Sequence, residues 1–271
     1  MQNFNSTFLV DSLISSINDP SNNFNQNKFN KLQKFLRKIE NSYQNVPYHN
    51  HHHAVDVLTA VDVLMNQVEE SGLAEFTLFE RVTLLLAAAC HDVGHPGVTA
   101  EHIMRNQFHA KSNGLTITSM FKNENDETNN QNENQNNASI LSKGMLERYH
   151  STVALCIMRE YGIDLAFYDD FTNLFHDCIM ATDMSNHASI VKTLSEMGEN
   201  SQKNKNEKRK LSENDRAKLL PIILHIADLS NPAKGFGDAK EWADKVCMEF
   251  FQQGDVEKIL NDGQIGICWG V

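Results

Sequence analysis

The chain has 271 residues, 41% of them hydrophobic and 22% charged, which is enough to bury one sizeable globular core. Its 24 basic and 35 acidic side chains give a net charge of −11, which argues against non-specific binding to nucleic acid because such binding needs a basic surface. No stretch approaches the roughly 20 apolar residues of a membrane-spanning helix, and five scattered cysteines indicate reduced thiols, so we expect a cytoplasmic protein without a membrane span.

Apolar residues recur at steps of three and four along most of the chain, which predicts an all-α fold. In chain order, the predicted helices cover residues 29–43, 55–68, 78–92, 145–161, 167–182, 185–197, 212–229 and 238–252. Thr77 and Glu80 form a capping box at the start of the third helix, and Ser212 and Asp215 occupy the same positions in a later one. Gly254 predicts the end of the last helix.

Two polar segments do not fit a packed core. Residues 123–137 are rich in asparagine and predict a disordered surface insertion, because they cannot bury apolar surface. Residues 199–210 are charged and predict a loop. Asp56 and Asp62 are interpreted either as charges at the N-terminus of a helix or as part of its solvent-facing surface.

Histidine and aspartate cluster in three segments at helical spacings. The clustered residues are His49 and His53, then His91, Asp92 and His95, and finally His225 and Asp228. Imidazole and carboxylate together suit zinc, manganese or iron, and additional carboxylate oxygens suit magnesium. A carboxylate shared by two ions would hold a second metal about 3.5–4 Å from the first. The spacing therefore predicts a metal site and favours a hydrolase without fixing the substrate.

These segments resemble the catalytic domain of the class I cyclic nucleotide phosphodiesterases, within the His-Asp metal phosphohydrolase superfamily. The matching blocks are YHN with HAVDV, HDVGHPG, LERYH, ATDMSNH, HIADLSNP and FFQQGD, in the family's order. The resemblance implies an all-α multi-helix bundle. It also implies one catalytic domain over residues 28–260, between an N-terminal extension (1–27) and an atypical C-terminal tail (261–271).

The resemblance also implies roles for individual residues. The expected ligands of a tightly held Zn²⁺ are His53, His91, Asp92 and Asp228. Asp92 would also bridge to a second ion, Mg²⁺ or Mn²⁺. His95, Glu147 and Thr182 would hold water molecules bound to the second ion. His49 would be the general acid. Tyr48, Met184 and Asn231 would line the substrate pocket.

The implied reaction is hydrolysis of cAMP or cGMP to the nucleoside 5′-monophosphate, which terminates a signal. A water between the two cations loses a proton near neutral pH and attacks phosphorus. His49 then protonates the leaving 3′ oxygen. The implied partner is the small cyclic nucleotide, and the apolar residues before Phe29 leave open either a homodimer contact or packing on the domain.

The sequence also departs from the family pattern. The family continues for some tens of residues beyond the QGD of FFQQGD, so the resemblance implies that the last helices of the domain are missing here. Ala100 stands where an asparagine is usual after HPG. Two alternatives stay open, a truncated and non-catalytic metal-binding remnant or another His-Asp phosphohydrolase. A zinc metalloprotease is disfavoured because the chain contains no His-Glu-x-x-His motif.

Overall fold

The structure, a computed structural model, describes residues 26–106, 143–203 and 210–260. These ranges contain nine α-helices and no strand, which confirms the all-α prediction. The helices are α1 (Gln26–Ser42), α2 (His51–Glu70), α3 (Leu78–Cys90), α4 (Ala100–Asn106), α5 (Met145–Glu160), α6 (Asp169–Met180), α7 (His187–Lys203), α8 (Glu213–Asp228) and α9 (Phe236–Leu260). Short 3₁₀ helices lie at Asp164–Phe167, Met184–Asn186 and Asn231–Ala233. The insertion at 123–137, the tail at 261–271 and residues 1–25 of the extension lie outside the described residues.

The central helix of the bundle is α3, which packs against α2, α5, α6 and α8. Its residues 83–90 are all buried, which is the pattern of a helix surrounded by others. Apolar side chains from α1, α2, α5, α6 and α8 complete the same core. Because α3 lies at the centre, the polar residues that follow its last turn are also inside the protein.

Two predicted helix starts are present in the structure. Glu80 N donates to Thr77 Oγ1 at 3.2 Å, and the Glu80 carboxylate accepts from Thr77 N at 2.8 Å, so the capping box is complete. Ser212 Oγ likewise accepts from Asp215 N at 3.2 Å. Glu80 also pairs with Arg216, 3.2 Å away on α8, so the first turns of α3 and α8 are tied together.

Two predicted boundaries are wrong. Residues 199–203 are helical and belong to α7, whereas the charge pattern predicted a loop from 199. Gly254 does not end α9, which continues to Leu260. The residues after Gly254 have partners that keep the helix going, since Glu257 pairs with His102 at 2.8 Å. The tendency of a helix to end at glycine is outweighed there by the tertiary contacts of the residues that follow.

The fold brings three helix ends together. The first turn of α2, the last turn of α3 and the last turn of α8 belong to helices that pack against one another. The segment that enters α2 lies against α9, because Glu249 accepts hydrogen bonds from Tyr48 N and His49 N. Within the described residues, no helix is long and apolar enough to cross a membrane.

Candidate active site

The four predicted zinc ligands lie at these three helix ends. His53 is in the first turn of α2, His91 and Asp92 follow the last residue of α3, and Asp228 is the last residue of α8. Asn50 caps α2 by accepting from His53 N at 3.4 Å, which places the ligand in the first turn of the helix. The local folding of each segment therefore decides where its ligand stands.

The four side chains meet, with one potential ligand atom from each lying within 4.8 Å of all the others. Asp228 Oδ1 is 2.9 Å from His53 Nε2 and 3.4 Å from His91 Nε2. Asp92 Oδ2 is 3.1 Å from His91 Nε2 and 3.6 Å from His53 Nε2. Ligands of a tetrahedral ion with bonds of about 2.0–2.1 Å lie about 3.4 Å apart, so the observed spacings fit one such ion.

The electrostatics of the cluster also suit a cation. His91 Nδ1 donates to Ala88 O at 2.8 Å, which directs Nε2 into the cluster, where it has no hydrogen-bond partner. Burial by itself raises the pKa values of Asp92 and Asp228, but the adjacent histidines outweigh burial and lower both below the usual range of aspartate. The site thus presents imidazole nitrogens and ionised carboxylates, the donor set of a divalent transition metal.

Beside the cluster, His49 is held by Glu249 of α9. The two side chains pair through His49 Nδ1 and Glu249 Oε2 at 2.5 Å, and Glu249 Oε1 also accepts from His49 N at 2.9 Å. Burial lowers the pKa of His49, but the bond to Glu249 and the nearby aspartate charges outweigh it and raise the pKa. With 26% of its side chain exposed, His49 is reachable by a substrate.

Tyr48 and Asn231 form a wall of the site next to the His53 ring. Tyr48 OH donates to Asn231 Oδ1 at 2.7 Å, and the Tyr48 ring lies 4.5 Å from the His53 ring and 5.6 Å from the Trp242 ring, centroid to centroid. Asn231 Nδ2 donates to Asp56 at 2.8 Å. This wall joins the loop after α8 to the segment that enters α2.

The sequence profile of the 3′5′-cyclic nucleotide phosphodiesterases matches residues 48–267, which is well over half of the chain and includes every residue of this site. The chain belongs to that family. The match covers all the blocks on which the resemblance was based from YHN onward, and it confirms the family predicted from them.

Two curated relatives support this phosphodiesterase assignment. A probable 3′,5′-cyclic-AMP phosphodiesterase, pde-4, of Caenorhabditis elegans is 31% identical over 236 residues, which cover 84% of this chain and 31% of that protein. The 3′,5′-cyclic-AMP phosphodiesterase 4C of Rattus norvegicus is 32% identical over 240 residues, covering 84% and 39%. The chain therefore spans about a third of the length of these relatives.

A solved structure is also similar to this chain. The phosphodiesterase domain of the Salpingoeca rosetta rhodopsin phosphodiesterase superposes with a TM-score of 0.70 at 25% sequence identity. The alignment covers 96% of this chain and 71% of that one. The helical architecture described above is therefore that of a phosphodiesterase catalytic domain.

The other predicted site residues differ in burial and in their hydrogen-bond partners. His95 stacks on His49 with ring centroids 3.9 Å apart, and Thr182 is buried with its hydroxyl donating to Ile179 O at 2.8 Å. Burial raises the pKa of Glu147 to about 7. Met184 is 58% exposed.

His49, His95 and Glu249 also form a compact group of potential ligands. Gly97 N donates to His95 Nδ1 at 3.0 Å, which requires that neutral His95 carry its proton on Nε2. A protonated nitrogen has no lone pair for a metal. We therefore interpret this trio as a hydrogen-bonding group and not as a second complete metal site.

Three residues near the site were missed by the sequence reasoning. Glu249 had no assigned role, although it lies just before the FFQQGD block. His150, the last residue of LERYH, donates from Nδ1 to Val93 O and points Nε2 at Asp92 Oδ1, 3.9 Å away. The interpretation of Asp56 as a solvent-facing charge is wrong, because its carboxylate accepts from Asn231 and pairs with Lys234.

Proposed function

We propose that this phosphodiesterase family member hydrolyses a 3′,5′-cyclic nucleotide to the nucleoside 5′-monophosphate. The observation that carries the proposal is the meeting of four metal-ligand side chains, three buried and Asp228 half-buried, with a histidine held by a carboxylate. The two named relatives are cyclic-AMP phosphodiesterases, so cAMP is the first substrate to test.

We assign a tightly bound Zn²⁺ to His53, His91, Asp92 and Asp228, whose spacing and charge fit it. Asp92 uses Oδ2 in this cluster and keeps Oδ1 on the side of His150, so its carboxylate can also contact a second ion, Mg²⁺ or Mn²⁺. When bound, the two ions supply an ionised water as nucleophile and neutralise charge on the phosphate. The protein supplies the remaining functions.

His49 is the proposed general acid. Glu249 holds Nδ1, which leaves the proton on Nε2 of the charged imidazole for the leaving 3′ oxygen. The same carboxylate accepts from the backbone N–H groups of Tyr48 and His49, so Glu249 holds both the ring of His49 and the backbone that carries it. This geometry lets the histidine give its proton without reorientation, which is the basis of efficient acid catalysis.

His95, Glu147 and Thr182 are proposed to hold water near the second ion. Neutral His95 carries an Nε2 proton that can be donated to water, because Nδ1 accepts from Gly97. Thr182 donates its own proton to Ile179 O and so offers water only acceptor lone pairs. Together they provide a donor and an acceptor, which orient a water molecule in a defined direction.

The test is product analysis after incubation of the chain with cAMP or cGMP, with zinc and magnesium supplied. Asp228→Ala removes a proposed ligand, and Asp164→Ala is the matched control, because Asp164 is 63% exposed and pairs only loosely with Lys28 at 3.6 Å. We expect wild type and Asp164→Ala to release the 5′-monophosphate. We expect Asp228→Ala to stay folded, lose bound zinc and release no product.

Two results would contradict the proposal. Folded, metal-loaded wild type that turns over neither nucleotide would favour the non-catalytic metal-binding alternative. Release of a 3′-monophosphate, or turnover of other phosphate esters in preference to cyclic nucleotides, would favour another His-Asp phosphohydrolase activity.

A further inference from the structure

An ion pair lies directly behind the wall formed by Tyr48 and Asn231. Lys234 Nζ is 2.8 Å from Asp56 Oδ1, and Asn231 Nδ2 donates to Asp56 Oδ2, also at 2.8 Å. We infer that Asp56 is a positioning residue, which fixes the orientation of the Asn231 amide and thereby the hydrogen-bond polarity of the Tyr48 hydroxyl. The inference rests on the proposed function, in which Tyr48 and Asn231 line the nucleotide pocket.

The chemistry of the three groups allows one arrangement. An ionised carboxylate only accepts hydrogen bonds, whereas an amide donates at one end and accepts at the other. Asp56 therefore requires the nitrogen end of Asn231, and the oxygen end must face Tyr48 OH, 2.7 Å away. Asn231 is only 4% exposed, so solvent offers its amide no alternative partner.

This arrangement gives Tyr48 a defined role. A tyrosine hydroxyl has a pKa of about 10, so it keeps its proton at neutral pH. That proton is committed to Asn231 Oδ1. Toward the pocket the hydroxyl therefore offers lone pairs, and it accepts a hydrogen bond from a donor group of the nucleotide.

Asp56→Asn is the variant that separates orientation from packing. The substituted amide has nearly the shape of the carboxylate, but only its oxygen can accept from Lys234, and this charge-assisted bond is the stronger one. Its nitrogen then faces the nitrogen of Asn231. The Asn231 amide must turn over, and Tyr48 changes from donor to acceptor. We expect KM for the cyclic nucleotide to rise about tenfold, with kcat changed less than about threefold.

Lys234→Met tests the inference both alone and in combination with Asp56→Asn. Alone, it leaves Asp56 accepting from Asn231, so KM should stay within about threefold of wild type. Combined with Asp56→Asn, it frees the new amide to turn its oxygen toward Asn231. The double variant should therefore recover most of the lost KM, because the original polarity of Asn231 and Tyr48 is restored.

Asp62→Asn is the matched control on the same helix. Asp62 pairs with Arg81 at 3.2 Å, away from the pocket wall. This variant loses an ion pair of α2 without touching Asn231, and we expect unchanged KM. An increase like that of Asp56→Asn would assign the effect to helix stability and overturn the inference.

A second readout does not depend on turnover. In ¹⁵N-labelled protein, the side-chain amide signals of Asn231 should move in Asp56→Asn and return toward their wild-type positions in the double variant. A double variant that is as impaired as Asp56→Asn by both KM and these signals would overturn the inference. If wild type turns over no cyclic nucleotide, the proposed function fails, whereas the amide signals still test the orientation.

Discussion

The two sides of the site are built in different ways. On the metal side, the four ligands come from three helix ends, and His91 and Asp92 are neighbours in the chain. Beside the metal cluster, the partners of Tyr48 and His49 are Asn231 and Glu249, which lie 183 and 200 residues further along. Residue type and local spacing therefore identify the metal ligands in the sequence, although the bundle must bring His53 and Asp228 together across 175 residues. No local pattern identifies the partners of Tyr48 and His49.

The largest expected effect concerns the metal side. Asp92→Asn removes the charge of a carboxylate that lies 3.1 Å from His91 Nε2 and that we propose to contact both ions. We expect turnover of cAMP at saturation to fall by at least about a thousandfold, because the ions supply several kcal/mol of transition-state stabilisation. Initial rates measured beside the exposed Asp164→Asn variant check this. Near-normal turnover in Asp92→Asn would show that the four-residue cluster is not the reaction centre.

A smaller effect is expected beside the metal cluster, from Glu249→Gln. The carboxylate of Glu249 helps raise the pKa of His49 against burial, so its removal lowers that pKa. A general acid with a lower pKa loses its proton at lower pH. The alkaline limb of the rate profile should therefore move to lower pH, and the rate above neutral pH should fall about a hundredfold.

Measurement of kcat against pH for wild type and Glu249→Gln tests this pKa argument. Bound zinc should be equal in the two proteins, because Glu249 is not among the four assigned ligands. An unchanged alkaline limb would show that Glu249 does not act on the general acid. A loss of zinc would show that Glu249 contributes to metal binding.

The smallest effect concerns the scaffold that both sides share. Glu80 is buried, caps α3 and pairs with Arg216 on α8, at the opposite ends of these helices from His91 and Asp228. Glu80→Ala should lower the free energy of unfolding by about 2 kcal/mol and leave kcat unchanged. Denaturant unfolding checks the first expectation, and initial rates at saturating substrate check the second. Glu75→Ala, which removes an exposed ion pair with Lys210, is the control and should change neither quantity.

Much of the fold was predictable because its signals are local. Thr77 and Glu80 identified a helix start from four residues of sequence, and the apolar repeat identified the core faces of the helices. The His and Asp positions were predictable for the same reason, since residues three or four apart share a helix face. Helix identity and ligand positions are thus properties of short segments.

The rest was not predictable because it depends on contacts between distant segments. Asp56 has the pattern of a surface charge until the loop after α8 brings Asn231 and Lys234 against it. Gly254 has the pattern of a helix end until Glu257 pairs with His102 beyond it. In both cases the neighbours that decide the outcome lie more than 150 residues away in the chain.

The native metal content of the folded chain decides whether the four-residue cluster holds a metal. We would purify wild type, Asp92→Asn and Asp164→Asn without chelators or added metal and determine zinc per chain by mass spectrometry of the elements. The account predicts about one tightly held zinc in wild type and Asp164→Asn and a large loss in Asp92→Asn. Equal zinc in all three proteins, or none in any of them, would contradict it.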